Sequence, residues 1–146
     1  EVAAWCDLRV AAEGAVFGVF CRRFGVPLID LGTVRLPRLI GHSRAMDLIL
    51  TGRAVEAQEA YAIGLANRLA PKGEALSVAL ELAGQLSAFP QTCLRNDRAS
   101  AIGQWSLDWD EATHLEIELG RATLRTGEGL EGAVRFVSGQ GRHGTF

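Results

Sequence analysis

The spacing of apolar positions changes part-way along this chain. Up to Pro71 it consists of short alternations broken by glycine, whereas after Gly73 apolar residues recur at steps of three and four, as in Leu76, Leu80, Ala83 and Leu86. The first spacing predicts brief strands and turns and the second amphipathic helices. Residues 1–6 are alanine-rich without a capping residue ahead of them and read as the tail of a buried helix closed by Asp7. Residues 7–12 alternate polar and apolar, Glu13-Gly14 signals a turn, and 15–20 form a short β-prone run, which together predict two strands. The stretch 21–40 carries scattered Gly, Pro and charge and reads as a long loop, a place where function concentrates. Ser43 is the candidate N-cap of a helix over 44–50 that Gly52 ends. A short helix over 56–62 stops at Gly64, and 65–70 read as a strand ended by Pro71. Helices are predicted over 74–89, 93–102, 108–126 and 129–137, followed by a polar tail.

Strands confined to the first part and helices afterwards predict an α+β protein rather than alternating βαβ units. The expected organisation is a mixed region 1–72, a helical region 73–138 and a flexible tail 139–146. With 146 residues, 48% of them hydrophobic, the chain has the material for a core, and a chain of this size buries about 70% of its unfolded surface. The net charge of −2 comes without a basic stripe, so nucleic acid is not an expected partner. Lys72 is the single lysine among 15 cations, a bias that reads as coding composition before it reads as chemistry. Cys6, Cys21 and Cys93 form no CxxC and no zinc spacing with histidine, which predicts no metal and a reducing, cytoplasmic setting. Neither a signal-peptide pattern nor an apolar run of about 18 residues is present, so secretion and a membrane span are not expected.

Candidate chemistry centres on Glu1 and the 21–40 stretch. Glu1 is either solvent-facing or a tuned acid/base. Asp30 either caps the helix that follows or points into a pocket, and Cys21 beside Arg22 is a candidate thiolate. No G-x-S-x-G, Cys-His-Asn arrangement or phosphate-binding glycine motif accompanies them. Trp105, Trp109 and His114 read as packing residues.

The string Glu1-Val2-Ala3-Ala4-Trp5-Cys6-Asp7-Leu8-Arg9-Val10-Ala11, followed by Phe17-Gly18 and Gly25, resembles the central signature of the enoyl-CoA hydratase/isomerase (crotonase) superfamily. Downstream, the residues from Gly32-Thr33-Val34-Arg35-Leu36 to Gly41 resemble the family's glycine-threonine-x-arginine-leucine helix. The run from Ala45 to Arg53, followed by Ala57, Tyr61 and Gly64-Leu65-Ala66-Asn67, resembles its next two helices and strand. The resemblance implies a partial crotonase-like (ClpP/crotonase) fold covering the family's C-terminal half. Residues 1–72 would then be the C-terminal part of the core and 73–138 a trimerisation region. It also implies that the glycine-rich segment and both N–H groups of the oxyanion hole lie upstream of Glu1; such a hole is worth several kcal/mol.

Carried over residue by residue, Glu1 falls on the first of the two carboxylates with which similar hydratases add water. The second position falls on Cys21, a departure that puts two-carboxylate hydration in doubt, because a thiol with a pKa near 8.5 does not simply replace a carboxylic acid. Asp30 lies one position beyond an aspartate of dehalogenase and dienoyl isomerase relatives and is the candidate replacement; Glu13 is a weaker one. Phe20, Phe24, Val26, Pro27, Leu28 and Ile29 are expected to line an acyl pocket. The implied activity is hydration or double-bond isomerisation of a fatty acyl-CoA through an enolate, with coenzyme A as part of the substrate and no metal or redox cofactor. The implied assembly is a homotrimer or hexamer. A catalytically impaired acyl-CoA-binding or trimeric scaffold protein of the same fold is the alternative that Cys21 favours.

Overall fold

In the computed structural model, which describes residues 1–141, a four-residue helix α1 (Val2–Trp5) leads into β1 (Val10–Ala12) and β2 (Val16–Phe17). A 3-10 turn (Phe20–Phe24), α2 (Gly32–Ile40), α3 (His42–Thr51), β3 (Val55–Glu56), α4 (Ala57–Ala62) and β4 (Arg68–Ala70) follow. β1 and β4 pair in parallel, Val10 opposite Arg68 and Ala12 opposite Ala70. β2 and β3 pair antiparallel, with Val16 opposite Glu56 and Phe17 opposite Val55. The two strands predicted at 7–20 thus form in shortened versions, each with a partner far along the chain.

Apolar residues four apart on α2, Leu36 and Ile40, meet Ala45, Leu48 and Ile49 of α3, and Val55, Ala60 and Leu65 complete the buried core. This packing overturns the expectation of a loop over all of 21–40. Gly32 and Pro37 look like breakers, yet Gly32 is the first residue of α2 and Pro37 lies inside it. Pro37 removes one helical N–H, and burial of Leu36 and Ile40 on either side outweighs that loss. The helix agrees with the family resemblance. Ser43 is not the N-cap of α3: Gly41, at φ 81°, ends α2 and begins α3 at once, placing Ser43 inside the first turn. Gly52 closes α3 in the left-handed region, its N–H donating to Leu48 O at 3.0 Å.

The remaining elements are α5 (Ala75–Ala88), α6 (Gln91–Gly103), a 3-10 turn (Gln104–Ser106), α7 (Trp109–Arg125) and α8 (Glu128–Val137). The chain forms two compact units, Glu1–Ala83 and a second from Gly84 onward, so the division falls within α5 and not at residues 72–73. In the second unit α7 opens with a capping box, Asp108 accepting from Glu111 N and Glu111 accepting from Asp108 N. The Glu128 carboxylate, at the start of α8, accepts from Thr92 N at 3.1 Å and Cys93 N at 3.0 Å, at the start of α6. No residue of α5 to α8 is buried. Trp109, expected to pack, is 85% exposed, because the Asp108 cap fixes it as the first residue of α7, beside an open depression shared with Asp97 and Ser100. Trp105 is half-buried and His114 exposed. Residues 142–146, most of the predicted tail, lie outside the described residues. No helix among the described residues is long and apolar enough to cross a membrane.

Candidate active site

Glu1 is the N-cap residue of α1, its carbonyl accepting from Ala4 N at 2.8 Å. Its side chain reaches the start of α2, where Oε1 accepts from Asp30 N at 3.0 Å and Gly32 N at 2.8 Å. Those two N–H groups converge because Leu31 between them is left-handed, with φ 63°, the one non-glycine among the described residues with a positive φ. N–H groups turned toward one point around a left-handed residue form an anion-binding nest, and the start of a helix adds its positive end. Gly32 is required for close approach, since a Cβ there would lie 2.6 Å from Glu1 Oε1. The carboxylate is therefore seated through one oxygen, and Oε2 takes no part in either hydrogen bond.

A cavity of about 290 Å³ adjoins this seat, lined by Glu1, Gly32 and a largely apolar wall that includes Phe17, Val19, Leu36, Leu48 and Leu65. Cys21, Phe20 and Leu28 also line it. Gly18 lets the Phe20 ring fold back over the backbone, because a Cβ there would meet Phe20 Cζ at 2.4 Å. Side chains three apart eclipse in a 3-10 turn, and Arg23 accordingly stacks over the Phe20 ring at 5.2 Å.

Of the residues singled out from sequence, the structure brings Glu1, Cys21, Phe20 and Leu28 to one cavity. It does not bring Phe24, Val26, Pro27 or Ile29 there. These four are exposed, Phe24 by 82% and Ile29 by 78%, because the 3-10 turn ends at a left-handed Gly25 and the chain then runs outside the cavity wall to Leu28. Asp30 is exposed and absent from the lining. It neither caps α2, whose N-cap is Leu31, nor enters the cavity; its backbone serves instead, the N–H binding Glu1 and the carbonyl accepting from Trp5 Nε1 at 3.0 Å. Glu13 is exposed in the turn after β1, away from the cavity. Arg22 Nε donates to Ile49 O at 3.0 Å rather than to the Cys21 thiol. Sequence reasoning missed Phe17, Val19, Leu36, Leu48 and Leu65 as cavity residues, since their apolar pattern marks them only as core.

The structure thus places one carboxylate, anchored by two backbone N–H groups, on the wall of a largely apolar cavity. Sequence and structure comparisons then fix the family. The chain belongs to the enoyl-CoA hydratase/isomerase family, whose profile matches residues 1–141. It is similar to the crotonyl-CoA hydratase of Syntrophomonas wolfei, 33% identical over 137 residues covering 94% of this chain and 53% of that protein. The enoyl-CoA hydratase EchA19 of Mycobacterium tuberculosis is 34% identical over 141 residues, covering 94% and 52%. The solved enoyl-CoA hydratase of Mycobacterium tuberculosis H37Rv superposes with a TM-score of 0.88 at 28% identity, over 94% of this chain and 54% of that one. That of Bacillus anthracis superposes with a TM-score of 0.86 at 31% identity, over 92% and 52%. The fold is that of crotonase-type proteins, and the chain spans about half the length of the relatives it matches.

Proposed function

We propose that the protein carrying this chain acts on a fatty acyl-CoA thioester, hydrating an enoyl double bond or moving it through an enolate, with Glu1 as the proton-transferring group. The observation that carries this reading is the Glu1 carboxylate seated by Asp30 N and Gly32 N on the wall of the apolar cavity. The thioester carbonyl acidifies its neighbouring C–H, and the Oε2 side of Glu1 can take a proton from one carbon and return it to another. In hydration the same oxygen takes a proton from water as the water oxygen bonds Cβ and the double-bond electrons move into the enolate; protonated Glu1 then delivers that proton to Cα and returns to the carboxylate. Both reactions run on proton transfer, with C–O bond formation added in hydration, and call for no metal or redox cofactor. Phe20 and Leu28, with the apolar wall, would hold the acyl chain. General acid–base groups contribute about 10²- to 10⁴-fold. Replacing Glu1 with Gln in the intact protein is expected to lower kcat/KM for crotonyl-CoA hydration and for 3-enoyl-CoA isomerisation by that range; unchanged turnover would sink the reading.

Cys21 on the cavity wall, where the resemblance places a second carboxylate, favours a second reading: an acyl-CoA-binding or scaffold protein with impaired chemistry. Saturable binding of acyl-CoA with no hydration or isomerisation would support it. Exposed apolar residues of the helical unit, among them Leu124, Leu130 and Val134, support assembly as a homotrimer or hexamer. Three cysteines without disulfides support a cytoplasmic, reducing setting.

A further inference from the structure

We infer that Arg35, backed by Arg9, is a positioning residue for the Glu1 carboxylate, acting through α1. The inference rests on the reading of Glu1 as the proton-transferring group. α1 carries Glu1 at one end, and the other end of the helix is gripped from outside it. Two guanidinium groups from different parts of the fold grip it. Arg35, on α2, donates Nε to Ala4 O at 2.6 Å and Nη2 to Trp5 O at 3.2 Å, and lies 4.7 Å over the Trp5 ring. Arg9, just before β1, donates Nη1 to Cys6 O at 2.5 Å and Ala3 O at 3.5 Å, and Nε to Leu65 O at 2.5 Å.

Arg9 is 7% exposed. Burial lowers its pKa from the ordinary value, yet a guanidinium stays charged in proteins, so these carbonyl oxygens are what compensate a buried cation. Trp5 Nε1 meanwhile donates to Asp30 O, on the same turn whose N–H groups hold Glu1. α1 is thus tied to the start of α2 by the Glu1 carboxylate, by the Trp5 indole and by Arg35. Removing Arg35 leaves the carboxylate seat chemically intact but lets its support shift. The planar fork reaches two carbonyls and an aromatic face at once, which a lysine ammonium does not reproduce.

The test compares Arg35→Met, Arg35→Lys and Glu1→Gln in the intact protein, with crotonyl-CoA as the probe. Arg35→Met is expected to lower kcat about tenfold or more, in line with the cost of sub-ångström misplacement, while KM changes less than about twofold. Arg35→Lys should recover part of kcat. A folded Arg35→Met protein with wild-type kcat overturns the inference, as does a variant with lowered thermal stability but unchanged kcat per active site. If Arg35→Met fails to fold, Arg35→Lys decides by the same split of kcat against KM. Full turnover by Glu1→Gln would instead overturn the reading of Glu1 itself, whereas an inactive Glu1→Gln beside a wild-type Arg35→Met overturns only the role of Arg35.

Discussion

At the residue scale, the seat of Glu1 depends on the missing side chain of Gly32 as much as on any hydrogen bond. A methyl group at position 32 would lie 2.6 Å from Oε1, so Gly32→Ala displaces either the carboxylate or the first turn of α2. The expected outcome is a fall in kcat of about tenfold or more, measured by crotonyl-CoA hydration, with a far smaller change in melting temperature. Cys21 permits a complementary gain-of-chemistry prediction. Cys21→Glu places a second carboxylate on the cavity wall and is expected to raise the ratio of hydration to isomerisation, since one carboxylate can then activate water while the other protonates Cα. An unchanged ratio would mean that position 21 does not serve as the second acid/base position.

At the element scale, the ends of helices in the second unit are fixed by side chains that can be removed singly. Asp108→Ala breaks the capping box of α7 and is expected to cost about 1 kcal/mol, read as a lowered urea midpoint. Glu128 ties the start of α8 to the start of α6, and the Cys93 N–H, then the Thr92 side chain and more weakly the Thr92 N–H, hold its carboxyl below the ordinary carboxylate range. Because the folded value lies below the unfolded one, the unfolded chain binds more protons between them. The stabilisation is therefore complete above the unfolded pKa and is lost as pH falls through the folded one. Glu128→Gln should lower the melting temperature at neutral pH and flatten its decline on the acid side, as a series of thermal melts will show. In the first unit, Leu48 is 2% exposed, and Leu48→Ala is expected to cost about 2–5 kcal/mol.

At the scale of the whole molecule, the exposed apolar side chains of the helical unit call for a cover. Leu124 and Leu130 are each 74% exposed, Val137 76% and Val134 63%, and exposed apolar surface is where association is expected first. Light scattering at micromolar concentration is expected to report a mass above that of the monomer, and Leu130→Glu with Val134→Glu should reduce it; a clean monomer before substitution would count against self-association.

Alternation and three-to-four spacing determined that short strands precede long helices. The spacing also placed the start of α7 at Asp108, and a glycine placed the stop of α3 at Gly52, because these features follow from neighbours in the chain. The motif residues carried the family and pointed to Glu1 and Cys21. Other features depend on contacts between residues far apart in sequence, and only the tertiary structure decided them. α2 forms across apparent breakers because its buried face packs on α3, and β1 pairs with β4 rather than β2. Asp30 contributes its backbone and not its carboxylate, since the left-handed Leu31 aims the N–H groups on either side of it at a residue 30 positions away. The arginines show the division most plainly. In the sequence they are a compositional bias, and in the fold Arg9 and Arg35 hold carbonyl oxygens of the helix that carries Glu1, because a guanidinium finds such partners only once the chain has brought them together.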